Sequence, residues 1–148
     1  MKYILLIFII FFTACSVKNY EITKSKLISI KSPKIKFSDL GFIRSSGNSV
    51  EMELFMTGKS IEKITINYLM CSNEGCMLKS SFNEVYLSKY YPDDILQNIL
   101  LSKKIYNGKN IKYINYGFEQ YIKNIDVDIK YKVDSKTIYF KDRKNKIL

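Results

Sequence analysis

The run Asp126-Val127-Asp128-Ile129-Lys130-Tyr131-Lys132-Val133 places an apolar side chain at every second position and a charged one between. Side chains along a strand point alternately to its two faces, so this segment suits a half-buried strand with Val127, Ile129, Tyr131 and Val133 on a core. The period recurs in Val50-Glu51-Met52-Glu53-Leu54-Phe55-Met56, where Val50, Met52, Leu54 and Met56 face one way and Glu51 and Glu53 the other. Ile64, Ile66, Tyr68 and Met70 alternate likewise, and Ile35 and Phe37 share a face. Gly117–Lys123 and residues 137–141, with Ile138 and Phe140 inward, extend the series. Turn residues separate the runs at Ser45-Ser46-Gly47-Asn48, Thr57-Gly58-Lys59-Ser60 and Asp134-Ser135-Lys136. About seven strands at roughly ten-residue spacing predict a mainly β domain, an antiparallel sandwich or barrel with one polar face per sheet.

One stretch breaks the period. Tyr91-Pro92-Asp93-Asp94 precedes Ile95, Leu96, Ile99 and Leu100, two pairs at i,i+4. Proline and acidic residues at a first turn suit a helix N-terminus, so a short helical insertion is expected near 93–102, with 81–88 supplying another turn or two.

The chain opens with Met1-Lys2, an unbroken apolar run over residues 3–12, and Thr13-Ala14-Cys15. One positive charge, a short apolar core and small residues before a boundary form the architecture of an export signal. As a helix the run spans about 15 Å, roughly half of a ~30 Å hydrocarbon core, which argues against a permanent membrane span. Phe12-Thr13-Ala14-Cys15 resembles the lipobox of bacterial lipoproteins, with Phe12 where leucine is favoured. The resemblance implies cleavage before Cys15 and a diacylglycerol thioether on its sulfur. Two or more acyl chains anchor stably at ~0.8 kcal/mol per buried CH2. The expected organisation is a signal peptide over 1–14, a lipidated N-terminus and tether over 15–33 with a short strand at 27–31, and a β-sandwich domain over 34–148. Ser16 is not the aspartate of the enteric inner-membrane retention rule, so the expected destination is the outer membrane, with the domain in the periplasm or at the cell surface.

Loss of Lys2 with the leader lowers the formal charge from +10 to +9. Only Arg44 and Arg143 are arginine, and the lysines are spread along the chain. Nucleic-acid binders concentrate basic residues on one face with interleaved aromatics, so no nucleic-acid partner is expected. Attraction to anionic lipid or lipopolysaccharide phosphate is the alternative to plain solvation of these lysines.

In the mature domain the sharpest local feature is Cys71-Ser72-Asn73-Glu74-Gly75-Cys76. An apolar strand precedes it, a second (77–79) follows, and Ser-Asn-Glu-Gly is turn material. Folding back brings the sulfurs within bonding reach, and an exported location is oxidising, so a Cys71–Cys76 disulfide is expected. Its four-residue spacing between strands differs from the C-x-x-C at a helix N-terminus that thiol oxidoreductases use.

Histidine is absent, which removes His bases, His-activated nucleophiles and His-ligated metals. No metal site, cofactor site or catalytic residue is expected. Glu51 and Glu53 lie about 7 Å apart on one strand face, the spacing of a glycosidase pair, but read as a charged outer face. The S-x-x-K match Ser60-Ile61-Glu62-Lys63 would place Ser60 and Lys63 on opposite faces of a strand. Adjacent Asp93 and Asp94 read as helix-terminal charges, and Asp126 and Asp128 lack the glycine and downstream glutamate of a calcium loop. Asp39, Asp142 and Arg143 have no partner legible in the sequence. Phe82, Tyr86, Tyr90 and Tyr91 lie about a helical turn apart and read as core-covering aromatics rather than a ligand platform.

Several segments are similar, in order, to the small lipoproteins of the Campylobacter and Helicobacter group. They are Phe37-Ser38-Asp39-Leu40-Gly41-Phe42, the Cys71/Cys76 pair, Ser81-Phe82-Asn83, residues 91–100, Gly117-Phe118-Glu119-Gln120 and residues 140–145. The resemblance covers about residues 34–146. It implies a variant immunoglobulin-like fold and an outer-membrane-associated lipoprotein, and it carries over no catalytic residue. The functional expectation is a non-enzymatic, membrane-anchored module that binds another envelope protein. The alternatives are an envelope hydrolase using carboxylates and a glycan- or lipid-binding domain.

Overall fold

A computed structural model describes residues 20–32, 35–56 and 59–144. The leader, its apolar run and Cys15 lie outside the described residues. Ten described strands pair into one continuous sheet in the order β6-β5-β4-β3-β2-β1-β10-β9-β8-β7. They are β1 (Ile22–Lys31), β2 (Lys36–Ser46), β3 (Ser49–Met56), β4 (Lys59–Ile66), β5 (Leu69–Ser72), β6 (Gly75–Leu78), β7 (Ile111–Ile114), β8 (Gly117–Lys123), β9 (Asp128–Val133) and β10 (Thr137–Asp142). Two short helices, α1 (Lys79–Tyr86) and α2 (Ile95–Leu100), lie between β6 and β7.

The domain is mainly β, as the alternation predicts, with ten strands among the described residues rather than about seven, and the helical turns expected near 81–88 and 93–102 are α1 and α2. The strands also differ from two facing layers, because they are hydrogen-bonded in a single sheet. Two meanders, β1 to β6 and β7 to β10, meet where β1 runs parallel to β10, with Ile28 opposite Ile138 and Ile30 opposite Phe140. The other pairings are antiparallel. The tether expected over 16–33 gives up Ile22–Lys31 to the domain, where β1 lies at the middle of the sheet.

Strand register sorts the side chains into two faces. Ile28, Ile30, Ile43, Val50, Met52, Leu54, Ile64, Ile66, Met70, Ile122, Ile129, Tyr131, Val133, Ile138 and Phe140 are buried and share the inner face. What covers that face follows from the topology. β6 and β7 are consecutive in the chain yet form opposite edges, so the segment between them has to cross the sheet. Its helix α2 packs on β3 and β10, the strands flanking β2 and β1, so the sheet curls around it. Ile95, Leu96, Ile99 and Leu100 are each 2 % exposed or less. The i,i+4 apolar pairs thus form the second side of the core.

Buried polar bonds fix the crossing. Gln120, fully buried on β8, accepts from the Ile105 amide at 2.9 Å and donates to the carbonyls of Ile105 at 3.0 Å and Lys109 at 2.9 Å. Tyr131 donates to the carbonyls of Ile99 and Lys103. Asn83 on α1 donates to the Pro92 carbonyl. These bonds satisfy backbone groups that an irregular buried segment would otherwise leave unpaired.

The run expected as one strand through Ile64, Ile66, Tyr68 and Met70 turns at Asn67-Tyr68. The Asn67 side chain accepts from the Leu69 amide, Met70 folds back opposite Ile66, and Tyr68 is 95 % exposed.

Candidate ligand-binding site

An apolar cavity of about 270 Å³ lies between the inner face and the helices. Met52 and Leu54 on β3 and Ile64 on β4 contribute to one wall, and Phe82 and Tyr86 of α1 with Leu96 of α2 to the other. The two aromatics, one turn apart, hold ring centroids at 4.6 Å. The sequence reading of Phe82 and Tyr91 as core aromatics holds, since they are 3 % and 5 % exposed, and Tyr90 is half exposed. Tyr86 packs half-buried against the same core and lines the cavity together with Phe82.

Polar groups gather at one side of this cavity. Glu62, Ser72 and Glu74 line it with the apolar residues. Tyr86 donates its hydroxyl to the Glu74 carboxylate, and that hydrogen bond raises the tyrosine pKa above its ordinary value. Glu62 accepts from the backbone amide of Asn73, in the turn that carries Glu74. A ligand entering here meets an apolar interior beside two glutamates, which suits an aliphatic group bearing a neutral or cationic head and disfavours an anionic one. A cavity of ~150 Å³ lined by Leu, Ile and Phe stays dry and takes up benzene, so this larger space has room for an apolar guest.

The glutamates singled out by spacing lie on the opposite, outer face. Arg44 bridges Glu51 at 2.9 Å and Glu53 at 2.7 Å, Lys63 holds Glu51 at 3.0 Å, and Tyr20 donates to Glu51 at 2.7 Å. Burial pushes the Glu51 carboxyl up, but the bonds from Tyr20, Lys63 and Arg44 outweigh it and hold it below the usual value. Glu53 is held low chiefly by Arg44. Acid–base catalysis by paired carboxylates needs the two pKa values pushed apart, and here both move the same way. Tyr20, by contrast, is raised to about 12 by burial and its bond to Glu51.

The S-x-x-K expectation is corrected. The β3–β4 register pairs Leu54 with Glu62 but Phe55 with Ser60, so a bulge at position 61 puts Ser60 and Lys63 on the same outer face. Each still has a glutamate partner, Ser60 on Glu53 and Lys63 on Glu51.

The Cys71 and Cys76 sulfurs are at disulfide distance, 2.11 Å, with the two residues directly opposite across β5 and β6. Asp94 pairs with Lys79 at 2.9 Å instead of capping α2 through its side chain. Asp128 takes Arg143, and Asp142 accepts from the Tyr91 hydroxyl at 2.8 Å, while Asp39 binds its neighbouring Leu40 amide. Among the described residues no group of three His, Cys, Asp or Glu side chains could hold a metal ion, and no helix is long and apolar enough to cross a membrane. Comparison of the chain with protein-family models, curated proteins and solved structures finds no match.

Proposed function

We propose that this chain is a lipid-anchored bacterial envelope protein whose β domain is a non-enzymatic binding module. It receives the aliphatic part of an amphiphile in the cavity beneath α1 and α2. The cavity is the observation that carries this reading, because eight of its twelve lining residues are Ile, Leu, Met or Phe. The anchor at Cys15 is supported by the leader and the lipobox-like Phe12-Thr13-Ala14-Cys15. The likeness of residues 34–146 to Campylobacter and Helicobacter lipoproteins points to the same compartment.

The two glutamates beside the cavity set the order of affinity: dodecylamine and dodecanol bind more tightly than dodecanoate. Native mass spectrometry of the full-length protein, followed by titration with these three probes, tests the assignment. Ile64→Phe, which fills the cavity from β4, should abolish binding while leaving the protein folded. Absence of binding by every probe, or unchanged binding in the variant, refutes it. Globomycin treatment tests the anchor separately: an unchanged size and membrane fraction would remove Cys15 from the reading.

A second reading, engagement of another envelope protein, is favoured by the outer edge of β7, which no other described strand pairs. There Tyr113 is 69 % exposed, and Tyr116 in the following turn is 89 % exposed. Edge strands accept added strands from partners. Affinity purification from crosslinked envelopes, with Tyr113→Lys as the control, tests it. Equal recovery of a partner by both proteins would exclude the edge.

A further inference from the structure

The far end of β1 carries a feature that the cavity does not explain. Lys24 and Lys26 lie two residues apart on its inner face, so their side chains project to the same side. With Lys103, from the segment after α2, they line a recess of about 250 Å³ that also contains Ser45 and Ser102 and no acidic residue. Lys26 is only 6 % exposed. Its ammonium donates to two neutral oxygens, Ser102 Oγ at 3.1 Å and the Asp134 carbonyl at 2.8 Å. An ammonium has three protons to donate.

Among the described residues none of these three lysines forms a salt bridge. The acidic group that acts on Lys26, Asp134, has its carboxylate occupied by the Thr137 hydroxyl and the amides of Lys136 and Thr137. Burial, with Lys24 beside it, lowers the Lys26 pKa. A buried ammonium with no salt-bridge partner is costly, and a second one on the same strand face adds repulsion. An anion in the recess would relieve both. Phosphate fits this setting, because its two negative charges and several acceptor oxygens can meet three separately mounted ammonium groups and two hydroxyls.

We propose that the recess formed by Lys24, Lys26, Lys103 and Ser102 is a phosphate-binding site. It shares no lining residue with the apolar cavity: Leu96 borders one space and Leu100, a turn further along the same face of α2, the other. The site does not depend on what the cavity holds. Its location suits a lipid headgroup: six residues separate Cys15 from Ile22, and the seven steps between them span at most about 25 Å. An anchor at Cys15 would therefore hold this end of β1 close to the membrane surface.

Full-length protein in an uncharged maltoside detergent, titrated calorimetrically with inorganic phosphate at low ionic strength, tests the site. Saturable binding is expected, weakened about tenfold or more in Lys24→Gln/Lys103→Gln. Lys130→Gln/Lys132→Gln, an equal charge loss on the outer face, should change it less than about twofold. Lys26 is left intact because its burial makes a folding defect the first effect of replacing it. Glycerol 3-phosphate and a short-chain phosphatidylglycerol distinguish the sources. Tighter, Lys24/Lys103-dependent binding of the lipid identifies a headgroup site, and equal binding identifies a soluble phosphate compound. No saturable binding of any of the three, or equal weakening in the outer-face variant, overturns the proposal.

Discussion

Replacing Gln120 with leucine should be among the most damaging single changes in the domain. The side chain is fully buried and makes three bonds to the crossing segment, two of them in buried surroundings at Ile105 and one partly buried at Lys109. Leucine has similar volume, so little cavity forms, and the cost is that of the stranded backbone groups. The Ile105 amide and carbonyl would each lose a partner at about 1–3 kcal/mol. The Lys109 carbonyl can turn to water and adds about 0.5–1 kcal/mol. After partial relaxation the expected loss is about 3–5 kcal/mol, a large fraction of the ~5–15 kcal/mol typical of a domain. Urea denaturation monitored by circular dichroism reads the total, and amide hydrogen exchange locates it, with Ile105 losing protection ahead of the β9 and β10 amides. A loss below about 1 kcal/mol, or unchanged protection at Ile105, would show that this side chain does not hold the crossing segment to β8.

Other expectations follow from single contacts. A Cβ on Gly117 would lie 1.9 Å from the Val133 carbonyl oxygen, so Gly117→Ala should force β8 and β9 apart and cost several kcal/mol, on the order of an overpacked core, in thermal melts. Cys71→Ser should cost about 2 kcal/mol while leaving the fold intact, because the paired sulfurs close only a short hairpin on which Cys76 is exposed; loss of the native spectrum would contradict this. Glu53 and Asp134 are held below their ordinary values, chiefly by Arg44 and the Thr137 hydroxyl respectively, and Glu51 is held low by bonds that outweigh its burial. A carboxylate with a depressed folded pKa contributes stability that is complete above its unfolded value and disappears as pH falls through the folded one. Urea midpoints should therefore decline from about pH 4.5 downward, and a midpoint that rises between pH 5 and 3 would refute the assignment.

The legible parts of the fold are those where one face is mostly apolar. β8 matches its sequence range, β10 lies within a residue of its own and β9 starts two residues inside its run, because Ile122, Ile129, Tyr131, Val133, Ile138 and Phe140 outnumber the polar Gln120 and Asp142 on the inner side. β1 was largely hidden because it puts Lys24 and Lys26 on that same side and nearly buries Ser29 on the other. A lysine that reads as solvated turns inward only because Ser102 and Asp134 arrive from distant segments. The turn at Asn67-Tyr68 was concealed by parity, since Tyr68 continues the alternation of Ile64 and Ile66. The cavity was beyond sequence reading, because five strands and two helices supply most of its lining and only the topology brings them together. The i,i+4 spacing of Phe82 and Tyr86 was its single local sign. The bulge opposite Leu54 and Phe55 shows the same limit, for one skipped residue reverses which side chains share a face.

The parallel contact of β1 with β10 joins positions about 110 residues apart, Leu27 with Thr137. A chain emerging N-terminus first would have its central seam half-made until the last strand arrived, leaving Ile28 and Ile30 exposed throughout the interval. Shortening the chain before Thr137 should thus release two unstitched half-sheets, and a bulky C-terminal fusion would burden the last stitch to close.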